Sequence, residues 1–231
     1  MSTAPPAPAV GAVLMAAGAG RRLGGVPKAL LRRDGETLLL RQIRLLQLAG
    51  TGPIAVVLGH HAAQLAAVLQ QQRSVGALAQ VGWVTNPAPD DGPAASLRCG
   101  LAALPPGLET LLVALADQPL LEDGDIQAVL EAWRTRPPGT ALVVPQHDGQ
   151  PGHPIAFGPQ LRSAILQAPA GQGVREWRSS HPQQVHALPA THARYTTDVD
   201  TPEDLQRLRS ACGVRLELPV SIHRILHSSG G

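Results

Sequence analysis

Aromatic side chains are nearly missing from this chain: its 231 residues include three Trp, one Tyr and one Phe. Basic residues are not interleaved with rings, so no nucleic-acid surface is expected, and the interior must be built from Leu, Val, Ile and Ala. Cysteine is as scarce. Cys99 and Cys212 stand apart without metal-ligand spacing, so the chain has no disulfide framework, and a reduced, cytoplasmic compartment is the expectation. The net charge is only +2, with Arg and Lys concentrated at 21–33 and 41–44 alone. No apolar run approaches the ~20 residues of a membrane span. Also absent are an internal repeat, a linker long enough to divide the chain, and any Ser–His–Asp or paired-carboxylate constellation. A chain of this length suits one α/β domain with a core that needs no staples. The expected division is a Pro/Ala-rich disordered start at 1–9, which lacks the basic region of a signal peptide, a domain over 10–210, and a tail over 211–231.

What is present is organised around Gly11–Lys28. Val10 to Ala17 is a continuous apolar run, as in a buried parallel strand, and it delivers a glycine-rich basic loop. Gly18, Gly20, Gly24 and Gly25 allow backbone N–H groups close to an anion, while Arg21, Arg22 and Lys28 bring positive charge. The loop is not a Walker A motif, because Lys28 follows Pro27 and precedes Ala29 rather than Ser or Thr. It also departs from the dinucleotide fingerprint: Gly18-x-Gly20-x-x-x-Gly24 has one residue too many, and Pro27 fits a long loop better than a helix interior.

Downstream, apolar runs alternate with amphipathic stretches. Thr37 can cap a helix through Leu48 and Ala49, closed by Gly50. Strands are expected at 53–58, 81–85, 111–116, 140–144 and about 184–189, and helices at 61–72, from about 94, at 122–135, 159–167 and 174–180. Gln146–Phe157 reads as a hairpin-like turn into an edge strand, a position that suits Pro154. His60 and His61 are adjacent, so on a helix they do not face one metal. Ser96 is either a helix-start hydroxyl or a contact to a nucleotide at open N–H groups. Asp117, at the C-terminal end of the most apolar strand, is by itself a turn or cap residue; beside the 18–28 loop it becomes a candidate Mg²⁺ ligand. Thr201, Pro202 and Asp204 form a helix start, whereas Asp198 and Asp200 are not explained by capping.

The segments Ala16-Ala-Gly-Ala-Gly-Arg-Arg-Leu-Gly24, Pro27-Lys28, Asn86-Pro87 to Gly92 with Ser96-Leu-Arg98, Leu115-Ala-Asp117-Gln-Pro119, Gly152-His-Pro154 and Asp198-Val-Asp-Thr-Pro202 occur in order. Over about residues 10–208 this pattern resembles the molybdenum cofactor cytidylyltransferase-like branch of the nucleotidyltransferase superfamily. The resemblance implies a three-layer, doubly wound, mostly parallel α/β sheet in a single domain. It implies CMP transfer from CTP to the phosphate of molybdopterin, with Mg²⁺ as cofactor, pyrophosphate as leaving group and a recipient molybdoenzyme or its chaperone as a transient partner. It assigns Lys28, Arg22 and Asp117 to catalysis, and Asp117 and Asp200 to the metal. Ala16, Ala17, Gly18, Gly20, Arg22, Lys28, Asn86, Ser96 and His153 would bind the nucleotide or the pterin. Ala17 stands where guanylyl-specific relatives tend to carry a second glycine. Pro151 and Pro93 depart from the commonest pattern, at positions facing acceptor or base. Three alternatives remain: another NTP such as GTP or another phosphorylated acceptor, an NAD(P)H-dependent oxidoreductase on the same scaffold, and a non-catalytic cofactor carrier. Against the second, His60 lies where an acidic ribose ligand would be expected.

Overall fold

In the computed structural model, which describes residues 9–219, the apolar runs become the strands of one central sheet. β1 (Val10–Ala16) is followed by two short strands, β2 (Arg32–Arg33) and β3 (Glu36–Thr37), and by helix α1 (Leu38–Leu48). Then come β4 (Ile54–Leu58), α2 (Ala62–Ser74), β5 (Val81–Thr85), α3 (Pro93–Ala103) and β6 (Thr110–Leu115). The second half runs α4 (Asp123–Arg134), β7 (Leu142–His147), β8 (Gln150–Pro151), β9 (Ile155–Phe157), α5 (Pro159–Gln167) and α6 (Val174–Ser180). It closes with β10 (Val185–Pro189), α7 (Pro202–Cys212) and β11 (Leu216–Glu217).

The strand order is β10-β7-β9-β6-β1-β4-β5, with β8 hairpinned onto β7. β1 sits at the centre of the parallel part, with Leu14 opposite Val56 on β4 and Ala114 on β6. Helices α1 and α4 pack together on one face, α3 and α5 on the other, giving the expected three layers. Thr37 caps α1, its hydroxyl accepting from Leu40 N at 3.3 Å, so that Leu39, Ile43 and Leu46 face the sheet, all fully buried. On the opposite face α3 comes very close. A Cβ on Gly100 would lie 2.4 Å from Val13 and 2.6 Å from Val57, so only glycine permits this contact.

One expectation is overturned. Ile155–Phe157 is not an edge strand: β9 is inserted antiparallel between β6 and β7, with Phe157 opposite both Leu111 and Leu142. All three of its residues are buried, which suits an interior strand covered on both faces, and Pro154 precedes the strand where it costs the ladder no hydrogen bond.

A second small sheet, β11-β2-β3, lies over a satellite core of Leu23, Val26, Leu31, Leu38, Val199 and Leu208. Apolar and polar residues alternate from Val214 to Leu218, and Leu216 and Leu218 pack against that core. Thus residues 211–219 of the expected tail complete α7 and add β11, while 220–231 lie outside the described residues. Residues 1–8 of the expected disordered start do so too; Ala9 O accepts from Glu109 N at 3.0 Å. Among the described residues no helix is long and apolar enough to cross a membrane.

Candidate active site

The loop that leaves β1 crosses the C-terminal ends of the parallel strands, where open α/β sheets bind ligands. Its path depends on glycine. Gly20 has φ +61°, and a Cβ there would fall 2.0 Å from Val26 O. Leu23 N and Gly25 N both bond to Gly20 O at 2.9 Å, folding Arg21–Leu23 into a single tight turn. Leu23 and Val26 are buried beneath it and anchor the loop to the satellite core. Behind it, Gly59 follows β4, and a Cβ there would meet Ala17 O at 2.5 Å. His61 Nε2 lies 3.0 Å from Ala19 O, whereas His60 Nε2 lies 3.4 Å from Asp90, so the two rings serve different neighbours. Arg21 also reaches Asp90, at 2.6 Å, and joins the loop to the 86–92 segment across the rim.

Lys28 stands at the centre. Its Nζ lies 2.6 Å from Asp117 Oδ2 and 2.6 Å from Asp200 Oδ1, and Arg22 donates to the other oxygen of Asp200. Asp117 follows β6, and Asp200 precedes α7 from the far end of the chain. Their backbones meet through Val199 N to Asp117 O at 3.1 Å. Thr201 caps α7, and Asp204 of its first turn accepts from Thr201 N at 2.8 Å and from Asp200 N at 3.0 Å, which holds the backbone that carries the second carboxylate. Burial works to lower the Lys28 pKa, but the charges and hydrogen bonds of Asp117 and Asp200 prevail and hold it above the ordinary lysine value. Asp198 is exposed overall, yet partial desolvation of its carboxyl, followed by repulsion from Asp117 and Asp200, raises it above the usual carboxylate range.

The other expected residues fall into two groups. Ala16, Ala17, Gly18 and Gly20 line the path of the loop, and a small cavity of about 40 Å³ lies under it between Gly18, Lys28 and Asp117. Asn86 and Ser96 are both 3% exposed and bonded to each other at 3.0 Å. Asn86 Oδ1 also accepts from Ala88 N at 3.0 Å, so these side chains brace the 86–92 loop from within. His153 lies apart from Lys28, in a cleft of about 530 Å³ floored by Met15, Leu97, Val113, Leu115 and Ile155. Met15 is a wall common to this cleft and the small cavity. Burial, reinforced by the charge of Arg178, pushes His153 down to about 4, so the ring is neutral near pH 7. Arg175 and Arg178 also line this cleft, and residue-level reading of the chain passed over them. Their signal was available: two arginines three apart on a short helix behind Gly171 and Gly173 project to one side.

Asp117 and Asp200 have the chemistry of a hard-cation donor set. They offer carboxylate oxygens to one common point, at present taken by a cation, the Lys28 ammonium. Among the described residues no cluster of three or more His, Cys, Asp or Glu could hold a metal alone. Two carboxylates with the remaining positions left to phosphate oxygens and water is the donor set that suits Mg²⁺.

A mostly parallel sheet with this loop and a lysine–carboxylate cluster at its C-terminal edge defines an enzyme of the nucleotidyltransferase class. Residues 12–185 match the MobA-like NTP transferase domain, and the chain belongs to that family. It is 31% identical over 208 residues to nicotine blue oxidoreductase of Paenarthrobacter nicotinovorans, covering 87% of this chain and 97% of that protein. It is 32% identical over 213 residues to phosphoenolpyruvate guanylyltransferase of Rubrobacter xylanophilus, covering 86% and 91%. Among solved structures, Rv0371c of Mycobacterium tuberculosis is 27% identical with a TM-score of 0.68, over 87% of this chain and 98% of that one. Its manganese complex is similar with a TM-score of 0.65.

Proposed function

We propose that the protein transfers CMP from CTP to the terminal phosphate of molybdopterin, in a reducing cytoplasm, and releases pyrophosphate. The observation that carries this reading is the convergence of Lys28, Asp117, Asp200 and Arg22 beneath the glycine loop. An acceptor phosphate is already anionic at neutral pH, so no general base is required. One acceptor oxygen forms a bond to the α-phosphorus, the α–β anhydride bond breaks, and its electron pair leaves with pyrophosphate.

The barrier to be lowered is repulsion between an anionic nucleophile and a polyanionic triphosphate. N–H groups from Gly18 to Gly20 would hold phosphate oxygens, with Ala16 and Ala17 backing the base. Lys28 would turn from the carboxylates to the phosphates, and Arg22 would neutralise the departing pyrophosphate. Mg²⁺ held by Asp117 and Asp200 would supply Lewis-acid charge there. Asn86 and Ser96 would shape the nucleotide side of the site. His153, with Arg175 and Arg178, would line the acceptor side, where an apolar floor and two guanidinium groups suit a flat ring system carrying a phosphate.

The test is pyrophosphate release from CTP, GTP, ATP and UTP, each with Mg²⁺ and molybdopterin. Release with CTP alone supports the reading. Release with GTP keeps the mechanism and moves the product to the guanine dinucleotide; the Rubrobacter relative is named a guanylyltransferase. A second reading has its own support: the Paenarthrobacter relative, similar over nearly its whole length, is named an oxidoreductase. The apolar cleft of about 530 Å³ could also take a flat electron acceptor. NADPH fluorescence that changes on mixing, with no response to any triphosphate, would replace the transferase reading with this one.

A further inference from the structure

Gln118 follows Asp117 directly but cannot reach a substrate, because it is 2% exposed. Its side chain instead joins the two halves of the site. Gln118 Nε2 donates to Tyr195 O at 2.6 Å, and the same carbonyl accepts from His153 N at 2.9 Å. Gln118 O in turn accepts from Gln42 Nε2, on α1, at 2.6 Å. Tyr195 opens the segment that runs to Val199 and Asp200. It is locked from its other side by its hydroxyl on Asp125 O at 3.1 Å and by the neighbouring Arg194, forked onto Asp125 at 2.7 and 2.6 Å. The fit around the carbonyl is close, since a Cβ on Gly152 would fall 2.4 Å from it.

We propose that Gln118 is a positioning residue for the transfer reaction. By fixing the Tyr195 carbonyl it sets Asp200 opposite Asp117, and through His153 N it sets the wall of the acceptor cleft against the same point. Partners behind a metal-holding carboxylate typically change metal affinity or activity by about 10–100-fold when removed. The proposal rests on the reading of Asp117 and Asp200 as the metal carboxylates, so its test carries that reading as a separate arm.

The measurement is Mn²⁺ affinity, read from the free-ion EPR signal, on the full chain without nucleotide, because CTP itself chelates Mn²⁺. Gln118→Met keeps length and removes the donor. The expectation is a loss of about tenfold or more in Mn²⁺ affinity, with CTP affinity in EDTA within twofold of wild type. A purely structural role would lower Tm and leave Mn²⁺ affinity in place, and that result overturns the proposal. Asp117→Asn separates the failures. If it loses Mn²⁺ and Gln118→Met does not, the positioning role is wrong; if Asp117→Asn also keeps Mn²⁺, the metal assignment itself is wrong. Should Gln118→Met not fold, Gln118→Asn keeps an amide but draws it back from the Tyr195 carbonyl. It should weaken Mn²⁺ by about tenfold, and unchanged affinity would again overturn the proposal.

Discussion

At Lys28 one ammonium satisfies two carboxylates that come from distant parts of the chain, and the chemistry proposed here depends on that balance. Asp117→Asn keeps the shape and removes a charge. Turnover should fall by a factor of about a hundred or more while circular dichroism shows a folded protein; full activity would sink the assignment. His153 gives a pH prediction. Its folded-state pKa of about 4 lies below the ordinary 6.5, so the unfolded chain takes up the proton more readily. Stability should therefore be fully present above pH 6.5 and decline as pH falls toward 4, by of the order of 2–3 kcal/mol. Melting curves of His153→Gln across that range should lack this contribution. At this scale the placement of Asp117 at a strand end and of Lys28 beside a basic glycine loop was legible, because both are local patterns. That Asn86 and Ser96 would bond to each other inside the protein was not, since nothing local says that two polar residues ten apart are buried together.

Helices and strands were legible to within a few residues wherever period and cap agreed, as for α1 behind Thr37 and α7 behind Thr201. β9 was misplaced. A three-residue apolar run after a proline reads locally as an edge, and only the gap between β6 and β7 makes it an interior strand. The closest contact between elements, α3 on the sheet at Gly100, makes a prediction of its own. Gly100→Ala inserts a methyl group 2.4 Å from Val13 and 2.6 Å from Val57 and should cost about 1–3 kcal/mol by denaturant titration. A variant as stable as wild type would show that α3 can lift from the sheet freely.

For the molecule as a whole, ligand binding should report on the sheet and both cores at once, because the loop is anchored to the satellite core and β1 runs through the main one. Saturation with the right triphosphate and Mg²⁺, at about a hundred times the dissociation constant, adds about 2.7 kcal/mol and should raise Tm clearly. CTP is expected to give that shift; a shift with NADPH alone would favour the oxidoreductase. The amino-acid order by itself determined the class of fold and the glycine-rich basic loop, because hydrophobic periodicity, glycine and proline act over a few neighbours. Tertiary structure alone decided that β11 closes on β2 and that the Tyr195 carbonyl ties Gln118 to His153. Those contacts join residues far apart in the chain, and only the burial of the whole sheet brings them together.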